Sequence, residues 1–192
     1  MTTQKEFLER LIGLLERAGI PYMVAGSMSS SLHGRPRATQ DADLVIDPTE
    51  DQLESLVALL EEGYYVSRDA ALDALRHRTM FNVIDLEGGW KADLIIRKDR
   101  PFSRQEFERR CQIDAMGRML WVVSPEDIIL SKLEWMKGRE SEVQYSDALG
   151  VAVTQWANLD LEYLHKWAEQ LGIEKVLVRL LKEAREQAER ID

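Results

Sequence analysis

The sequence predicts an α/β fold, a small mixed and partly antiparallel sheet flanked by helices, with a helical C-terminal region. Three observations carry that prediction. Up to residue 123, apolar runs of strand length alternate with longer segments whose apolar residues recur at helical spacing. Two strand runs meet across Glu87-Gly88-Gly89 and two more across Gly117-Arg118, hairpin signals that place antiparallel pairs in the sheet. From Ser124 onward only the helical period remains. We therefore expect an α/β core over residues 1–123 and a helical region over residues 124–192 packed on it.

Taken in order, residues 3–19 place Phe7, Leu8, Leu11, Ile12, Leu14 and Leu15 at helical spacing, and Gly19 ends that helix. Pro21 opens a strand, where its missing N–H does least harm. Residues 27–32 form a short helix closed by Gly34 and Pro36, and the following loop carries Arg35 and Arg37 into the strand at residues 41–46. Asp47-Pro48-Thr49 stops that strand and caps a helix showing Leu53, Leu56, Val57, Leu59 and Leu60 up to Gly63. A weak strand at 64–66 and a helix at 69–77 precede the hairpin strands 80–86 and 90–96. Residues 103–110 read as a short exposed helix within a basic run from Arg97 to Arg110, and strands 111–116 and 119–123 follow. Ser124-Pro125-Glu126-Asp127 is a helix start, with a serine cap, proline at the first helical position and an acid three residues after the cap. Helices at 125–137, 141–157, 160–170 and 173–190 are broken at Gly138, Asn158 and Gly172.

Composition narrows the function classes. Charged residues at 31% and hydrophobic residues at 45% are globular proportions, which excludes a disordered chain. The net charge of −9 argues against a generally basic nucleic-acid surface and leaves room only for a local patch. The single cysteine, Cys111, cannot close an intramolecular disulfide and falls in a strand run. No leader-like segment and no apolar run of roughly 20 residues is present, so the expectation is a soluble cytoplasmic protein without a membrane partner.

The residues that suggest chemistry are acidic. Asp41 and Asp43 lie one residue apart in a strand and so share a face. Two carboxylates side by side repel unless a cation sits with them, and hard divalent cations such as Mg²⁺ take oxygen ligands of this kind. Gly26-Ser27, placed where a strand hands over to a helix, lets the backbone approach a phosphate beside free helical N–H groups. Asp93, with Lys91 and Ile95 on its face, puts a charge within an apolar strand, which is costly unless it is paired or binds a cation. Asp85 competes for the role of third acid, but its place beside the glycine turn favours a solvated structural position. Arg35 and Arg37 could reach phosphates through a planar fork or pair with surface acids, and Thr39 could orient the loop by bonding to backbone. His33 reads as structural in preference to a base. Lys132 shares a helix face with Ile128, Ile129, Trp135 and Met136, and Asp147 shares one with Val143 and Val151. Charges on apolar faces must pair or face a cleft, and a helix-to-helix salt bridge is the plain alternative to a catalytic pair. The basic run is either a solvated face or a guide for a polyanion; the scattered tryptophans fit core and rim.

The stretch Val24-Ala25-Gly26-Ser27, followed by Asp41-Ala42-Asp43-Leu44-Val45-Ile46, resembles the nucleotidyltransferase superfamily, whose signature is Gly-Ser on a short helix and then a carboxylate-x-carboxylate strand. The Arg37-x-Thr39-x-Asp41-x-Asp43 run is most similar to the AbiEii/MenT type of toxin nucleotidyltransferases and their small relatives, and lincosamide and aminoglycoside nucleotidyltransferases share the core. The resemblance covers residues 20–97 through specific motifs and the C-terminal helices only loosely. It implies a nucleotidyltransferase-like fold and transfer of a nucleoside monophosphate from a nucleoside triphosphate such as ATP to a hydroxyl acceptor, tRNA or a small molecule. Asp41, Asp43 and Asp93 would hold two Mg²⁺ ions, with Mn²⁺ as a substitute, and Asp93 would take the acceptor's proton. Gly26, Ser27, Arg35, Arg37 and Thr39 would contact the nucleotide. Lys132 and Asp147 look like the lysine and aspartate that toxin-type members are expected to use from their C-terminal helices. The same type implies an antitoxin protein as partner. An antibiotic-type small-molecule transferase and a catalytically inactive nucleotide-binding or antitoxin module are the alternatives.

Overall fold

The computed structural model describes residues 2–115 and 117–190. In chain order the elements are α1 (Gln4–Arg17), β1 (Tyr22–Val24), α2 (Gly26–His33), β2 (Asp41–Ile46), α3 (Glu50–Leu60), β3 (Tyr64–Tyr65), α4 (Arg68–His77), β4 (Met80–Asp85) and β5 (Lys91–Ile96). They continue with α5 (Pro101–Glu108), β6 (Cys111–Ala115), β7 (Arg118–Val122), α6 (Pro125–Trp135), α7 (Glu142–Thr154), a single 3-10 turn at Trp156–Asn158, α8 (Leu161–Leu171) and α9 (Glu174–Ala188). The chain forms two compact units. One comprises Met1–Ala25 with Thr39–Val122, and the other Gly26–Ala38 with Val123–Asp192.

The first unit is α/β. Thr3 and Glu6 cap α1 reciprocally, the Thr3 hydroxyl accepting from the Glu6 N–H and the Glu6 carboxylate from the Thr3 N–H. That helix buries Phe7, Leu8, Leu11, Ile12 and Leu15, each such side chain stabilising by about 1.5–3 kcal/mol. The sheet has seven strands in the order β3-β4-β5-β2-β1-β7-β6. Both glycine hairpins are antiparallel, as are β1 with β2 and β3 with β4, whereas β2 with β5 and β1 with β7 are parallel. The expected mixed sheet is therefore present, and β2 and β5 run in register from Asp41↔Lys91 to Ile46↔Ile96. One face of this pair, made of Ala42, Leu44, Ile46, Ala92, Leu94 and Ile96, is buried. The other carries Asp41, Asp43, Lys91 and Asp93 and stays partly open. In-register parallel strands keep alternate residues on a common face, so the sequence's two acidic strands become one acidic face.

The second unit is helical. Ser124 caps α6 at the Asp127 N–H, with Pro125 at the first position. Helix α7 packs against α2, α6 and α9. A Cβ at Gly34 would stand 2.7 Å from the Val151 nitrogen, so the chain passes α7 at a distance only glycine permits.

Two expectations differ, and a third falls outside the described residues. The short helix begins at Pro101 rather than residue 103, and instead of lying exposed it buries Phe102 and Phe107. A proline at the first helical position was the missed start signal. Asp85 is not solvated: it is 1% exposed, pairs with Arg10 at 3.0 Å and accepts the Gly88 N–H at 2.8 Å. Its partner arrives from α1, far away in sequence. Met116, expected at a strand end, lies outside the described residues.

Candidate functional site

In the first unit, the register places Asp43 beside Asp93 and Asp41 beside Lys91. The Lys91 ammonium lies 3.2 Å from an Asp93 oxygen and 3.6 Å from an Asp41 oxygen. Asn82, the cross-strand partner of Asp93 on β4, donates its side-chain N–H to the same Asp93 oxygen at 2.5 Å. Asp93 is the more enclosed, with its side chain 15% exposed against 53% for Asp41. The hydrogen bond to Asp93 pushes the Lys91 ammonium above its usual pKa; slight desolvation opposes this, and the charges of Asp93 and Asp41 add to it. Thr39 places its hydroxyl on the Asp41 carbonyl at 3.2 Å, and its own carbonyl accepts from Gln4 at 2.9 Å.

Asp41 and Asp93 meet at the Lys91 ammonium and Asp43 stands beside Asp93 in the register; three carboxylates on one strand face are a hard-oxygen donor set, the chemistry that suits Mg²⁺ or Mn²⁺. As the side chains stand, no group of three or more His, Cys, Asp or Glu among the described residues is disposed to hold a metal ion, and the Lys91 ammonium is paired with Asp41 and Asp93. The donor set fits a divalent cation in kind and in charge.

In the second unit, α2, α6, α7 and the loop after α2 bring together Ser27, Arg37, Lys132 and Asp147. Arg37 grips the Asp147 carboxylate with two N–H groups, at 2.8 and 3.0 Å, and Lys132 reaches the same carboxylate at 2.9 Å. The Ser27 hydroxyl oxygen accepts from Arg37 at 2.5 Å and lies 3.4 Å from the Lys132 ammonium, which leaves the hydroxyl hydrogen as a donor. Lys132 and Asp147 are nearly enclosed, with side chains 5% and 7% exposed. Burial works to raise the Asp147 carboxyl, yet the hydrogen bonds and charges of Arg37 and Lys132 outweigh it and hold its pKa below the ordinary value. The cluster carries one net positive charge, and Arg37 is exposed, a composition suited to an anion.

Gly26 begins α2 at φ +58°, a left-handed conformation that glycine alone adopts without strain. Its carbonyl accepts from the hydroxyls of Ser29 and Ser30 at 2.9 Å. Arg35 stands apart from the cluster, donating to the Gln187 side chain at 3.1 Å. His33 is structural: it is 6% exposed, bonds the Val123 carbonyl at 2.6 Å, and is held by burial below its usual pKa. The basic run is largely committed, Arg97 to Asp47 and Arg104 to Asp99 at 2.9 Å, with Arg110 stacked on Phe107 and Trp121. Asn82 was missed by the sequence reading; the period-2 pattern of its strand placed it on the acidic face, but its alignment with Asp93 depends on hairpin register.

No family model matches the chain, and no curated protein matches it. Solved structures do. The chain is similar to an antigenic nucleotidyltransferase-like protein from Paracoccidioides brasiliensis, at 17% identity and a TM-score of 0.56 over 93% of this chain and 92% of that one. It is similar to the lincosamide antibiotic adenylyltransferase LnuA, solved with lincomycin bound, at 14% identity and a TM-score of 0.54 over 78% of this chain and 96% of that one. The antibiotic-resistance factor ANT(2'')-Ia matches at 17% identity and a TM-score of 0.50 over 98% of this chain and 94% of that one. At these identities the likeness concerns architecture, and on that ground the chain has the nucleotidyltransferase fold.

Proposed function

We propose that the protein is a metal-dependent nucleotidyltransferase that moves a nucleoside monophosphate from a nucleoside triphosphate to a hydroxyl acceptor. One observation carries this reading: Asp41, Asp43 and Asp93 share the open face of two in-register strands in a chain of this fold. These three acids would hold Mg²⁺, two ions, with Mn²⁺ able to replace it. When bound, the metal supplies charge stabilisation for the attacking and leaving oxygens. Asp93, fixed by Asn82, takes the acceptor's hydroxyl proton. The acceptor oxygen bonds to the α-phosphorus, the bond from that phosphorus to the β-phosphate bridging oxygen breaks, and pyrophosphate leaves. Thr39 holds the start of the acidic strand. In the second unit Ser27, Arg37 and Lys132 offer hydroxyl and cationic donors to phosphate oxygens, with Gly26 allowing close backbone approach, and Asp147 orients both cations. Arg35 is an outer nucleotide contact that releases Gln187.

The Arg37-x-Thr39-x-Asp41-x-Asp43 run and the Lys132–Asp147 pair support a toxin-type enzyme acting on an RNA end such as that of tRNA, with an antitoxin protein as partner. The likeness to antibiotic-modifying structures supports a second reading, a small polyhydroxy acceptor. Incubation with α-labelled nucleoside triphosphates and Mg²⁺ against total tRNA, aminoglycosides and lincosamides separates them by where the label goes. Label on RNA carries the first reading and label on a drug the second. Asp43→Asn is expected to lose at least about 100-fold in transfer; full turnover in that variant ends the proposal.

A further inference from the structure

We propose that Lys91 is a resident counter-cation of the acidic face: its ammonium neutralises Asp41 and Asp93 when no divalent ion is there, and it swings to solvent when one binds, so that Lys91 sets the metal affinity. This rests on the metal-site reading above and adds to it a residue that is itself no metal ligand.

The register creates the need for such a group. Parallel pairing of β2 and β5 puts Asp43 beside Asp93, with Asp41 next along the same face, and neighbouring strands hold facing side chains only about 5 Å apart. Like charges at that spacing oppose one another. Asn82 supplies an N–H to Asp93 but no charge. Lys91 supplies the charge, from the register position beside Asp41, and its ammonium reaches both Asp41 and Asp93.

The geometry also makes this cation removable. Lys91 retains 35% side-chain exposure, and its four-carbon stem ends in a compact, strongly hydrated ammonium that water readily accommodates. Ion pairs this exposed are individually weak. A divalent ion brings twice the charge and binds the carboxylate oxygens directly, so it can displace the ammonium, but only against the two contacts at 3.2 and 3.6 Å. Lys91 is therefore a competitor whose removal tightens metal binding.

The test is Mn²⁺ binding to the full chain without nucleotide, followed by the spin-resonance signal of free Mn²⁺, with thermal midpoints recorded in chelator and in saturating Mn²⁺. Lys91→Met keeps the length of the stem and removes the charge; it is expected to bind Mn²⁺ about tenfold more tightly than the natural chain, the combined effect of losing two exposed ion pairs. It should melt lower in chelator and recover more on adding Mn²⁺. Lys91→Arg keeps the charge and is expected to stay within about threefold of the natural chain. Equal affinity in Lys91→Met, or weaker binding, overturns the inference while leaving the metal site standing, and so does an equal loss of thermal midpoint with and without Mn²⁺. If neither the natural chain nor Lys91→Met binds Mn²⁺ above the level of Asp43→Asn, the metal-site reading fails and this inference with it.

Discussion

Removing the negative charge at Asp147 should cost more stability than removing either of its cationic partners, although all belong to one cluster. In Asp147→Asn, the Lys132 ammonium is left 5% exposed with no carboxylate against it, only neutral acceptors, the new amide oxygen and the Ser27 hydroxyl at 3.4 Å. An uncompensated buried charge of this kind costs about 3–5 kcal/mol. In Lys132→Met, by contrast, the Asp147 carboxylate keeps both Arg37 hydrogen bonds at 2.8 and 3.0 Å, and the loss approaches that of one charged hydrogen bond, about 1.5–3 kcal/mol. For a chain of this size each kcal/mol moves the thermal midpoint by about 2–4 °C. The double variant should cost clearly less than the sum of the two, because the second change removes a charge the first had stranded. Urea titrations read at unchanged slope measure all three. A Lys132→Met loss equal to or larger than that of Asp147→Asn, or strict additivity in the double variant, would refute this account of the cluster. The pH dependence follows from the lowered Asp147 pKa. The folded carboxylate binds fewer protons than the unfolded one as pH falls from about the ordinary value of 3.8, so its contribution is complete above that pH and is lost as pH drops through the folded value. Asp147→Asn removes that part of the acid transition.

Two further outcomes test the helical unit. Burial lowers the His33 pKa from 6.5, so below that pH the unfolded chain takes a proton that the fold refuses and stability falls with pH. His33→Gln should flatten the change in urea midpoint between about pH 7.5 and 5.5, and an unchanged slope would contradict the assignment. Gly34→Ala should cost about 1–3 kcal/mol, since its Cβ meets Val151 backbone at 2.7 Å and Gly150 backbone at 2.8 Å. Gly150→Ala, whose nearest neighbour is at 3.6 Å, serves as the tolerated control, and equal effects from the two would dispose of the close-approach explanation.

Local chemistry made most elements readable from the sequence. The Thr49 and Ser124 caps, the Gly88-Gly89 turn and the alternation through Asp41-Ala42-Asp43-Leu44 each act within a few residues, and each element appears where its signal stood. What the sequence concealed depends on partners far along the chain. Nothing near Asp85 announces Arg10, and nothing near Asp41 announces that β5 will lie beside it in register with Lys91 opposite. The pairing of Lys132 with Asp147 was anticipated from charges on apolar helix faces, but the Arg37 clamp, which also reaches the Ser27 hydroxyl on α2, comes from a loop whose path no periodicity encodes. The helix opening at Pro101 was readable in principle, because proline at a first helical position is a local signal.

The most direct measurement is a crystal of the protein with Mn²⁺ and a non-hydrolysable nucleoside triphosphate, read at the metal's anomalous edge. The expected result is a peak at about 2.1 Å from carboxylate oxygens of Asp41 and Asp43, with Asp93 beside it and the Lys91 ammonium moved away. A nucleotide-bound crystal with Mn²⁺ elsewhere, or with Asp41 and Asp93 still paired to Lys91, would contradict it.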